Sequence, residues 1–318
     1  MQMKVRVLYH DHCFDGAASA AFFSRFLKET RHPDATYTYT GMAHTADQLF
    51  AESMFDGDVN AIVDFKYSPN PKLTWWFDHH QSAFLTSEDA THFHSGNNPL
   101  HFFDPGYRSC TKFIRDIARE KFGYEAPDLD NLVKWADIID GAQYATPTEA
   151  VELKAAATKL VLVIEASKGS ETVQNIIAAM QTTTLDEIIA KPEIAAAFDP
   201  LYQRHLRSID VIGKQARTEG GVIFFDLVGH DLEGYNKFVP YYLFPNDTYT
   251  VSVSESTFRT KVSVGSSPWA KEINHNLATI CERYGGGGHP RVGAISFPVG
   301  AVTEARKAAA EIAAELKA

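Results

Sequence analysis

Along this chain the apolar positions switch repeatedly between a two-residue and a helical period, and the switches mark its elements. Residues 4–9 (Lys-Val-Arg-Val-Leu-Tyr) read as a strand, and residues 16–27 as a helix packed closely through Ala17, Ala18, Ala20 and Ala21. Residues 36–40 alternate Thr and Tyr as a half-buried strand does. Residues 60–64 and 73–77 are short apolar runs, separated by a loop over 66–72 that holds Pro69 and Pro71. A fifth strand is read at 101–104, where Pro105-Gly106 stops it, and a helix follows from about Ser109. Strands interleaved with helices predict an α/β fold whose N-terminal part is a doubly wound, mostly parallel sheet.

Residues 131–141 then read as a helix carrying two acids, Asp137 and Asp140, and the pattern from Pro147 to about Gln215 is helical and alanine-rich. A second strand-rich unit opens at Gly220-Gly221, with strands over 222–227, 249–254 and 260–264. Ser267 and Pro268 are placed as N-cap and first residue of a helix with Ile273, Leu277, Ile280 and Tyr284 on its apolar face. A strand at 294–298 and a helix at 304–318 close the chain. The expected organisation is a domain over 1–165, a helical connector over 166–217, and a smaller C-terminal α/β domain with a mixed sheet over 218–318.

Composition narrows the function classes. The 318 residues suffice for two domains with separate cores. A formal charge of −10 counts against tight, unspecific binding of long duplex nucleic acid, which relies on many Lys and Arg contacts to phosphate. No run has the length of a transmembrane helix, and the amino terminus lacks the apolar core of a signal peptide, so no membrane association is expected. The three cysteines (Cys13, Cys110, Cys281) form no CxxC pair, which argues against a disulfide framework or a thiolate zinc site and fits a reducing cytoplasm.

The candidate chemistry sits at strand ends. Asp78-His79-His80 follows the run at 73–77, Asp64 ends the run at 60–64, and His10-Asp11-His12-Cys13-Phe14-Asp15-Gly16 follows the first strand. In a parallel sheet such ends lie side by side, at the edge where ligand crevices form. Carboxylate and imidazole together suit Mn²⁺, Fe²⁺ or Zn²⁺ better than Ca²⁺. Of Asp137 and Asp140, one is a candidate ligand and the other a cap or surface charge. Near the C-terminus, Gly285-Gly286-Gly287-Gly288-His289-Pro290-Arg291 offers backbone N–H groups and two side-chain donors to an anion, or else simply ends a helix.

These segments, in this order, resemble the DHH phosphoesterase superfamily with its associated C-terminal domain, in particular an exopolyphosphatase-like and oligoribonuclease-like subgroup. His10…Asp15-Gly16 resembles the first motif, Asp64 the second, Asp78-His79-His80 the third, Asp137 the fourth, and Gly286-Gly287-Gly288-His289 the substrate motif. The resemblance implies a hydrolase of phosphodiester or phosphoanhydride bonds with two divalent cations, Mn²⁺ first and Mg²⁺ or Co²⁺ as substitutes. It places the ions on His10, Asp15, Asp64, His79 and Asp137, with Asp64 between them and His12 as a sixth ligand. His80 and Asp78 take the catalytic role. Gly286, Gly287, Gly288, His289 and Arg291, together with Arg108, take the substrate. That substrate is a small nucleotide, a short single-stranded oligonucleotide or polyphosphate, and the resemblance also allows a homodimer. Two departures stand out. The first motif carries histidines where relatives have closely spaced aspartates, which leaves the choice among His10, Asp11 and His12 open. Gly265 stands where many relatives have an arginine. The altered first motif supports a second reading, a nucleotide-binding sensor of the same fold without turnover.

Overall fold

The computed structural model describes residues 2–43, 50–96, 98–167, 171–232 and 234–317. The chain divides into two compact units, one of Met1–Gln143 with Lys154–Asp199, the other of Tyr144–Leu153 with Pro200–Ala318.

The first unit is built on β1 (Lys4–His10), β2 (Thr36–Met42), β3 (Val59–Val63), β4 (Leu73–Asp78) and β5 (His101–Phe103). They form one parallel sheet in the order β2-β1-β3-β4-β5. All five residues of β3 are buried, as are five of the six in β4, so both strands read as continuous apolar runs rather than alternating ones. The helices are α1 (Phe14–Thr30), α2 (Ser87–Ser95), α3 (Cys110–Phe122), α4 (Asp130–Asp140), α5 (Pro147–Val151, in the second unit), α6 (Ala156–Ala166), α7 (Glu171–Met180), α8 (Leu185–Ile189) and α9 (Pro192–Gln215). Alanines at 17, 18, 20 and 21 let α1 pack tightly, while Phe22, Phe23, Phe26 and Leu27 fill its contacts. Phe23 meets Trp75 and Phe77 edge-on, so Trp75 is core; Trp76 is fully buried too. Ser109 caps α3 by accepting from Lys112 N. The helical stretch expected as a connector is shared: α7 and α8 pack within the first unit, and α9 passes from one unit to the other at Asp199–Pro200.

The strand order matters for the site. In a 2-1-3-4-5 sheet the chain reverses direction of winding between β1 and β3, and ligands bind beyond the carboxyl ends of the strands at that switch point. Tyr9 pairs with Val63, and Val63 with Phe77. The next residues on these strands (His10, Asp64 and Asp78) are therefore neighbours at the switch.

The second unit holds a mixed sheet of β6 (Arg217–Glu219), β7 (Val222–Asp226), β8 (Tyr249–Glu255), β9 (Thr260–Ser266), β10 (Gly287–His289) and β11 (Val292–Phe297), in the order β10-β11-β9-β8-β7-β6. Only β7 and β8 pair in parallel. Helices α10 (Val239–Leu243), α11 (Leu277–Glu282) and α12 (Val302–Leu316) belong to it. Val251, Val253, Val262, Val264 and Ile295 pack with Leu277, Ile280 and Ile312 as its core. Here one expectation fails: α11 begins at Leu277, not at Pro268, and Asn276 is its cap, accepting from Thr279 N. The intervening residues spend their polar groups elsewhere. Trp269 Nε1 donates to Tyr144 O, and the Asn274 backbone N–H donates to the Tyr249 hydroxyl rather than to a helical carbonyl. Among the described residues no helix is long and apolar enough to cross a membrane.

Candidate metal centre

Asp64 is the focus of the site. It follows β3 with a left-handed backbone, φ 57°, a conformation rare outside glycine, and its N–H donates to Phe77 O at 2.9 Å. Its side chain is 0 % exposed, and neither carboxylate oxygen makes a hydrogen bond. His10 Nδ1 lies 3.3 Å from Oδ2 and His79 Nε2 lies 3.3 Å from Oδ1. A strained backbone that buries a charged carboxylate with only two imidazoles beside it is costly in a folded protein and persists where function holds it.

Three sets of ligand atoms surround this carboxylate, each within 4.8 Å of one another: His10, Cys13 and Asp64; Asp64, His79 and His80; Asp15, His79 and Asp140. Asp64 is common to the first two and His79 to the last two. His79 Nε2 also lies 3.8 Å from Asp15 Oδ2 and 3.5 Å from Asp140 Oδ2. His79 Nδ1–H donates to Tyr107 O at 3.0 Å, which leaves Nε2 as the nitrogen turned to the carboxylates. Such a donor set, with orphaned buried oxygens at its centre, fits divalent cations.

The surrounding chain holds these groups rigidly. Asp15 accepts from Cys110 N at 2.6 Å, Thr111 N at 3.1 Å and the Thr111 hydroxyl at 2.6 Å, so the first turn of α3 fixes its carboxylate. Gly16 lets α1 start against β1: a Cβ there would lie 2.0 Å from His10 O. Asp78 Oδ1 accepts from His79 N, His80 N and His80 Nδ1 at 2.8, 3.2 and 2.7 Å, orienting the whole triplet.

Crowding displaces the titrations. Burial, then the neighbouring charges of Asp64 and Asp140, pushes Asp15 well above the usual carboxylate range. Burial and then Asp64 push Asp140 up to about 6. Burial would raise Asp64 too, but the His10 and His79 imidazoles hold it below the usual range. For His80 burial acts downward, and the Asp78 hydrogen bond with the Asp64 charge outweighs it, raising the imidazole to about 8.

No protein-family model matches the sequence, and no curated protein does. Solved structures do match over the whole chain. The pGpG-specific phosphodiesterase PggH of Vibrio cholerae superposes with a TM-score of 0.70 at 18% identity, covering 98% of this chain and 99% of its own. The DHH domain of a member of the S1p family of ribosomal proteins gives 0.59 at 13% identity, over 100% of this chain and 88% of its own. RecJ of Thermus thermophilus in complex with Mn²⁺ gives 0.57 at 14% identity, over 98% of this chain but 52% of RecJ. The chain has the DHH fold.

Within this DHH fold the sequence-derived candidates separate. His10, Asp15, Asp64 and His79 come together, and His80 lies beside them. Of the two acids on α4, the geometry brings in Asp140 rather than Asp137. Asp137 Oδ2 accepts from Lys112 Nζ at 3.3 Å, whereas the last residue of α4 reaches His79. His12, with φ 59°, turns away from the cluster: its Nδ1–H donates to Glu165 O at 3.0 Å, and Nε2 lies 3.4 Å from Asp11 Oδ2. Cys13 takes a place among the ligand atoms that the sequence reading did not assign. Its position three residues after His10, at the start of the helix, was the available signal. Arg108 is exposed and packs beside Gly141.

In the second unit of the DHH fold, the glycine run is part of a hairpin rather than a loose helix end. Gly287, Gly288 and His289 pair with Ala294, Gly293 and Val292. A Cβ on Gly286 would lie 2.3 Å from Ala294 O, and one on Gly288, with φ 152°, 2.2 Å from Val292 O. Strand pairing thus explains two of the glycines. Gly287 has nothing within 4 Å of a Cβ. Arg291 is tethered, its guanidinium donating to Ser267 O at 2.9 Å, and its N–H donates to His289 Nδ1 at 3.4 Å. Gly288→Ala is expected to lower thermal stability by about 1–3 kcal/mol through the forced strand shift. Gly287→Ala should leave stability unchanged, so any rise in KM it causes reports a ligand approaching that backbone. Thermal melts and steady-state kinetics of the two variants check this.

Proposed function

We propose that the protein is a metal-dependent phosphoesterase that hydrolyses the phosphodiester or phosphoanhydride bond of a small nucleotide, a short single-stranded oligonucleotide or polyphosphate. The observation that carries this reading is Asp64: buried, strained, unbonded, and shared between neighbouring sets of ligand atoms. Asp15, His79 and Asp140 would hold one divalent cation, with Mn²⁺ suited to their oxygen and nitrogen atoms. His10 and Asp64 would hold the other. Bound ions of this kind lower the pKa of a water nucleophile and offset the charge that develops on phosphate oxygens.

The chain's own residues supply the rest. His80 is oriented by Asp78 through Nδ1, and that hydrogen bond favours the protonated imidazole, with its exchangeable proton on Nε2. It is therefore set to bind a phosphate oxygen and to protonate the leaving oxygen. His80→Gln is expected to lower kcat by about 10²–10⁴-fold, the usual contribution of a general acid. Metal content should stay as in the wild type; a parallel loss of metal would make His80 a ligand instead. In the second unit His289 and the backbone around Gly287 offer donors to an anion, and in the first unit Arg108 is a further candidate contact to phosphate.

PggH supports a linear dinucleotide as the first substrate to try. The test is a panel of pGpG, a cyclic dinucleotide, a short oligoribonucleotide and polyphosphate, assayed with Mn²⁺ beside a measurement of bound metal. Turnover of one member with two bound equivalents is expected. Metal and nucleotide binding without turnover of any member would favour the sensor reading.

A further inference from the structure

One cluster holds a cysteine whose thiol donates to Asp140 Oδ1 rather than serving the helix that it begins. Cys13 is the N-cap residue of α1, yet its side chain accepts no hydrogen bond from the helix. Its sulfur lies within 4.8 Å of ligand atoms of His10 and Asp64, and 3.9 Å from Asp140 Oδ1. Asp64, fully buried with both oxygens unbonded, is part of the same set. Thiol, imidazole and carboxylate converging on one point share a single kind of partner, a cation. The remaining cysteines are placed differently: Cys110 and Cys281 are buried, and neither belongs to a ligand set among the described residues.

We propose that Cys13 binds as a thiolate to the cation held by His10 and Asp64, so that the two metal positions differ in chemistry. Resting on the metal centre proposed above, this inference assigns the ion class of one position. A nitrogen, oxygen and sulfur set selects Zn²⁺, Co²⁺ or Fe²⁺ over Mg²⁺, whereas Asp15, His79 and Asp140 present only oxygen and nitrogen. As the sulfur–metal bond forms, the S–H bond breaks, its proton passes to solvent, and the sulfur lone pair goes to the cation. No oxidant or reductant is needed.

The test is a Co²⁺ titration of the full-length protein, followed by absorbance. A sulfur-to-cobalt charge-transfer band in the near ultraviolet is expected, saturating at one equivalent while total binding reaches two. Cys13→Ser and Cys13→Asp both place a better helix cap at this position and should fold. Both should bind Co²⁺ without the band, and Cys13→Asp should shift the preference from Zn²⁺ toward Mn²⁺ by at least about tenfold. Two equivalents of cobalt with no band, or a band that survives in Cys13→Ser, would overturn the thiolate assignment and leave the metal centre standing. Failure of the wild type to bind cobalt, manganese or zinc would overturn the metal centre and this inference with it.

Discussion

Asp64→Asn should leave the protein folded and remove its turnover. Asparagine tolerates the left-handed backbone that residue 64 adopts at φ 57°, so the turn after β3 keeps its shape. The amide has almost the volume of the carboxylate and packs in the same buried space. It lacks the charge that joins the His10–Cys13 side of the cluster to the His79 side. Loss of a residue that only orients a ligand costs about 10–100-fold, so loss of the shared ligand should exceed about 100-fold in kcat. Metal affinity should fall with it. The melting temperature without metal should change little, because Asp15 and Asp140 are relieved of a neighbouring charge while His10 and His79 lose the carboxylate they hold. Turnover within a few fold of wild type would remove the metal-pair mechanism.

The second large effect separates two acids one helical turn apart. Asp140→Asn should weaken metal binding and lower kcat/KM by at least about tenfold, since a first ligand matters at least as much as its supports. Asp137→Asn should keep both metal equivalents. Its partner Lys112 is partly exposed at 3.3 Å, and such a pair contributes about 0–1 kcal/mol. Metal content by elemental analysis, with kinetics at fixed Mn²⁺, distinguishes the two. The reverse ranking would mean that the end of α4 rearranges when ions bind.

That pair also shows how far the sequence could be read. Strand ends are legible because a parallel sheet forces them to one edge: His10, Asp64, Asp78 and His79 need only the strand assignments. The end of a helix is less so. Asp137 and Asp140 lie three residues apart and share a face, and only the angle at which α4 meets the sheet decides which carboxylate arrives. In the turn between β1 and α1, periodicity gives no orientation at all. The left-handed backbone at His12 sends its imidazole outward, and Cys13 is left facing His10. The glycine run was legible as unusual, but not as a hairpin, because the contact that forbids side chains at Gly286 and Gly288 comes from β11. Length and strand pattern gave the α/β class and the mixed second sheet. The helix expected from Pro268 starts later, at Leu277, where the Asn274 backbone N–H upstream takes a tertiary partner that no local pattern reports.

Anomalous diffraction from crystals of the full-length protein grown with Mn²⁺ tests the metal centre most directly. Two peaks are expected, one bounded by His10, Cys13 and Asp64 and the other by Asp15, His79 and Asp140. A protein saturated with Mn²⁺ that shows no peak beside Asp64 would contradict the reading.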